Sequence, residues 1–151
     1  MQLPTNVRVA SWLASECLRY FIEQQNLNDD RLTRFCSHIS QLVFANDVPN
    51  WDNEAMKLEI DGMGDPLPVE LENIDGLFEL VISVREISAS QIYGAFQPDA
   101  VINFLKKAIE ISNLNLDKYN IEPMIQVSTK PEGWGVPLTH DTVQSFKNEN
   151  T

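Results

Sequence analysis

Two stretches of apolar residues at three- and four-residue spacing, joined by a very short connection, constrain this chain more than any other feature. From Val7 to Gln25 the residues Val9, Leu13, Cys17 and Phe21 recur, with Ala10, Ala14 and Leu18 beside them. That spacing gathers them on one side of an α-helix. Thr5 or Asn6 is placed to accept from the exposed N–H groups at its start, and Asn26 is a natural stop. The second stretch opens with Asn28 as cap and with Asp29 and Asp30 in the first turn, where carboxylates favour the positive end of the helix dipole. It runs to Ala45 through Leu32, Phe35, Cys36, Ile39, Leu42 and Val43. A link as short as Leu27 and Asn28 obliges the two helices to pack as an antiparallel hairpin.

The same periodicity returns twice. Leu71, Ile74, Leu77, Phe78, Val81 and Val84 predict a third helix over 69–87, and Pro98 in a first-turn position, followed by Val101, Ile102, Leu105, Ala108 and Ile109, predicts a fourth to Ser112. Ser88–Phe96 and Leu114–Ile121 are spaced as short helices. Met56, Leu58 and Ile60 alternate with Lys57, Glu59 and Asp61, which favours a small β element near 55–61, although Asp52 to Lys57 also fits one helical turn. Met124, Ile125 and Val127 suggest another near 124–128. Residues 47–68 form an acidic connection punctuated by Pro49, Gly62, Gly64, Pro66 and Pro68, and residues 129–151 read as an irregular segment, pinned by Trp134 and frayed over the last five positions. The expected fold is mainly α, a compact domain of four to six helices spanning 1–151, and 151 residues suffice for an independent core.

Charge is distributed very unevenly. Ten carboxylates lie between Asp47 and Glu79 against the single cation Lys57, so −9 of the formal net charge of −11 falls in that one segment of the chain. A pI near 4.4 surrounds the molecule with negative potential at neutral pH. Nucleic acid and anionic membrane surfaces are therefore disfavoured as partners. No apolar run approaches the roughly 18 residues that cross a bilayer, and the N-terminus lacks the cationic flank and apolar stretch of a secretory signal, so a cytoplasmic location is expected. Cys17 and Cys36 fall on apolar helix faces, where a free thiol behaves as a small hydrophobe.

Motifs that carry chemistry are absent from the pattern. Neither Asp47–Asp52 nor Asp61–Asp65 supplies the ligand order of an EF-hand loop, and the two Cys and two His, His38 and His140, lack the close pair spacing of zinc sites. His140 and Asp141 are adjacent, which seldom aims two side chains at one point. There is no Gly-x-Ser-x-Gly elbow and no glycine-rich phosphate loop. No catalytic residue, metal ligand or cofactor is assigned, and an enzyme is the less favoured class.

What remains is the acidic segment with its interleaved Trp51, Met56, Leu58, Met63 and Leu67. Long-range attraction combined with apolar anchors is the pairing that gives fast association and slow release. The expected partner-binding set is Asp52, Glu54, Glu59, Asp61, Asp65, Glu72, Asp75 and Glu79 for the electrostatics, with Trp51 and Met63 as anchors. In size, acidity and lack of motifs the chain is similar to immunity proteins of bacterial polymorphic-toxin and contact-dependent inhibition systems, a likeness of general character without an alignable motif. It implies a basic partner, in the most concrete form a cognate nuclease-type toxin domain. Two other readings stand beside it: a small enzyme or ligand-binding domain with a carboxylate-lined, divalent-metal-assisted site, and an adaptor or assembly subunit.

Overall fold

A computed structural model describes residues 2–148. Among these, 56 % are helical and no strand occurs. Seven α-helices follow in order: α1 (Val7–Gln24), α2 (Asp30–Gln41), α3 (Val48–Met56), α4 (Leu77–Ala89), α5 (Pro98–Ser112), α6 (Ile121–Ile125) and α7 (His140–Gln144). Short 3-10 turns occupy Leu42–Phe44 and Leu116–Lys118. The mainly helical architecture matches the periodicity, and α1 and α2 form the anticipated hairpin.

α1 is the centre of the molecule. Every residue from Val7 to Leu18 is buried, not one face alone, because α2, α4 and α5 all pack against it. Ala10, Ser11, Ala14 and Ser15 are small enough to admit neighbours on sides where the sequence shows no large apolar residue. At its start Asn6 Oδ1 accepts from Val9 N at 3.0 Å, while Asn6 Nδ2 donates to the carbonyls of Ser128 and Trp134. One side chain thus caps α1 and ties the C-terminal segment to it.

Several boundaries differ from the periodic reading. Asp29, not Asn28, caps α2, accepting from the N–H groups of Arg31 and Leu32. The anticipated β element near 55–61 does not form: Asp47 caps α3 through Asn50 N, Pro49 sits in its first turn, and Met56 is its last residue. Three alternating pairs with no strand to bond to lose to a capped helix. The helix predicted over 69–87 begins only at Leu77, since Gly76 takes a left-handed φ of 82° and the preceding residues make successive turns that still bury Leu71. It then continues to Ala89, so the separate helix at 88–96 is replaced by the end of α4 and a turn in which Gln91 Oε1 accepts from Gln97 N at 2.8 Å. α5 spans the predicted residues and ends at Asn113 in the left-handed region.

Towards the C-terminus, the β element expected near 124–128 does not form, Met124 and Ile125 closing the short helix α6, and Leu116–Lys118 is a 3-10 turn. The segment read as irregular contains α7, capped by Thr139. Lys147 bridges Tyr119, and Asn148 N donates to Lys118 O, so the start of the expected frayed end is held; residues 149–151 lie outside the described residues.

Candidate functional site

Two members of the expected binding set lie inside the protein. Asp52 is 6 % exposed and Trp51 5 %. On α3, Asp52 Oδ1 accepts from Nη2 of Arg85 at 2.5 Å, and Arg85, on α4, is fully buried. Arg85 Nη1 donates to Ser88 Oγ at 2.8 Å, and its guanidinium carbon lies 5.4 Å from the centre of the Trp51 ring. Trp51 in turn stacks on His38, its Nε1 donating to His38 O while His38 Nε2 meets Trp51 O, both at 2.9 Å. Asp52 and Trp51 therefore staple α3 to α2 and α4 and are withdrawn from any surface role. Their positions in an acidic run concealed this, because sequence spacing does not reveal an ion partner 33 residues away.

The other carboxylates divide by partner. Glu54 is paired with Lys57 at 3.1 Å, Glu59 with Arg34 at 3.6 Å, and Glu70 with Arg31 at 3.4 Å, all on exposed carboxylates. Such surface pairs are weak and do little more than offset charge locally. Among the described residues Asp61, Asp65, Glu72, Asp75 and Glu79 have no ion-pair partner. Glu72 and Asp75 stand on the turns before α4 rather than on its surface, so they do not line up with Glu79 on one helical strip.

Glu59, Asp61 and Asp65 are brought together. They edge a shallow depression floored by Phe78, Val81 and Ile82 of α4. Its enclosed space, about 10 Å³, holds no more than a single water, so it is a contact surface and not a ligand pocket. The segment lies across α4 because Gly62 has no side chain: a Cβ there would stand 2.5 Å from Cβ of Arg85 and 3.2 Å from the Phe35 ring. Asp61 Oδ1 accepts from Met63 N at 3.0 Å and fixes the turn that follows. Phe78 is 41 % exposed and Met63 46 %. Phe78 and Ile82, one helical turn apart on α4, are the apolar contribution, and of the two only Phe78 belongs to the periodic set expected in the core.

The cysteines are buried and free, and burial pushes Cys17 up to about 12 and Cys36 up to about 11. Among the described residues no group of three or more His, Cys, Asp and Glu side chains gathers as metal ligands, and no helix is long and apolar enough to cross a membrane. His140 stacks on Phe44 at 3.9 Å between ring centres. Comparison with protein-family models, curated proteins and solved structures gave no significant match for this chain.

Proposed function

We propose that this protein is an acidic inhibitor that masks a cationic site on another protein, most concretely a bacterial cytoplasmic immunity protein that neutralises a nuclease-type toxin domain. The observation that carries the reading is the pairing of unneutralised Asp61 and Asp65 with exposed Phe78 and half-buried Ile82 on one face, framed by Glu59 and with Glu79 beside Phe78 on α4. A domain that holds phosphates must itself be basic. An acidic face steers such a domain into encounter, and an apolar side chain at its middle slows departure, as in acidic inhibitors of basic ribonucleases.

The test uses the chain as bait, followed by stopped-flow kinetics with the basic protein it retains. Reversing Asp61, Asp65, Asp75 and Glu79 to Lys is expected to slow association about tenfold or more. Reversing four remote acids, Asp99, Glu110, Asp117 and Glu122, changes net charge equally and serves as the control. Equal rates for the two quadruple variants would remove the face from the account.

A further inference from the structure

Arg8 poses a question that the acidic face does not answer. Of the five arginines it alone has no carboxylate partner among the described residues, yet it is only 4 % exposed. Its Nη1 donates to the carbonyls of Leu42 at 3.0 Å and Ala45 at 2.5 Å, closing the end of the 3-10 turn after α2. That accounts for one nitrogen. Nε is buried without a hydrogen-bond partner, and Nη2 has none among the described residues. Nη2 carries guanidinium charge and two N–H donors, which suits a carboxylate acceptor. Nε is sealed from solvent, whereas Nη2 is not, so Nη2 is the donor left open to an acceptor supplied from outside.

Arg8 lines a cavity of about 500 Å³ between the start of α1, the start of α3 and the loop around Trp134. Ile92, Val48 and Trp134 give it an apolar wall, and Asp47 and Glu132 bring carboxylates to the same cavity. The volume is typical of small-molecule sites, and the lining is a mixture of apolar surface with a few charged groups.

We propose that this cavity binds a small zwitterionic carboxylate of the α-amino acid class, its carboxylate on Nη2 of Arg8 and its ammonium group toward Asp47 and Glu132. The two acids disfavour a phosphate dianion, which would meet two like charges for one guanidinium, and they favour a ligand carrying its own cation. The Ile92 and Trp134 surfaces would take the apolar side chain. Burial holds the Arg8 guanidinium below its ordinary pKa, the direction expected for a cation whose counter-ion the chain does not supply.

The test is an amide and indole NMR titration of the intact chain with the free L-amino acids, one at a time at millimolar concentration. Saturable shifts at Gly135 and the Trp134 indole are expected for at least one apolar amino acid. Its carboxamide should bind about tenfold more weakly or not at all, its N-acetyl derivative more weakly than the free form, and inorganic phosphate not measurably. Arg8→Lys should weaken binding about tenfold. Ile92→Trp fills the cavity without touching Arg8 and should abolish the shifts, so the inference stays testable if the Arg8 variant does not fold. No saturable amino acid, or a carboxamide that binds as well as the acid, overturns the site. An N-acetyl derivative that binds as tightly as the free amino acid overturns the zwitterion in favour of a peptide carboxylate, and phosphate alone saturating overturns the ligand class.

Discussion

Removing the carboxylate charge at Asp52 tests the reassignment of that residue from surface to core. Asp52→Asn keeps the shape of the side chain and leaves Arg85, which has no solvent exposure, without an anion. Ser88 Oγ and the Trp51 ring remain to it, but neither carries a full charge. Breaking a buried pair by deleting one partner costs about 3–5 kcal/mol, because the survivor's desolvation is no longer offset. For a domain of this length each kcal/mol lowers the melting temperature by about 2–4 °C, so a fall of roughly 6–20 °C is expected. Urea unfolding with an unchanged slope is the assay, and Glu72→Gln, an exposed acid of the same segment, is the control with a change within about 0.5 kcal/mol. The double variant Asp52→Leu with Arg85→Met should recover much of the loss. A cost for Asp52→Asn no larger than that of Glu72→Gln would refute the argument that Arg85 depends on this one carboxylate.

Two further outcomes follow from the same packing. Gly62→Ala forces a left-handed φ of 70° and a Cβ 2.5 Å from that of Arg85, so a loss of about 2–4 kcal/mol is expected by urea unfolding, whereas Gly64→Ala, with open space around it, should cost only about 1 kcal/mol for its positive φ. The thiols should be inert to an aromatic disulfide reagent until the chain unfolds. Their folded pKa values are raised above the ordinary value of 9.0, so their contribution is fully present below pH 9 and is lost progressively as pH climbs towards the raised values of about 11 and 12. A native thiol that titrates near pH 9 would contradict their burial.

How much of this was legible in the sequence depended on how local the cause was. The hairpin, α5 with Pro98 at its start, and the buried thiols all follow from spacing and capping within a few residues. The late start of α4 was not visible because Leu71 and Ile74 keep helical spacing although Gly76 breaks the helix between them and Leu77. Asp52 and Arg85 are 33 residues apart, and Arg8 and Ala45 37 apart, so each charge looked exposed when read beside its sequence neighbours. In the acidic segment the overall bias was readable. Which carboxylates face solvent unpaired depended on Gly62 admitting the chain against α4, a contact no periodicity encodes.

The most direct test of the docking account is a hydrogen-exchange footprint of the complex between this chain and the basic protein it retains, taken at low and at physiological ionic strength. Protection confined to 59–65 and 77–82, weakening as salt rises, is the predicted result. Protection centred on α5 or α6, or a complex indifferent to salt, would contradict it.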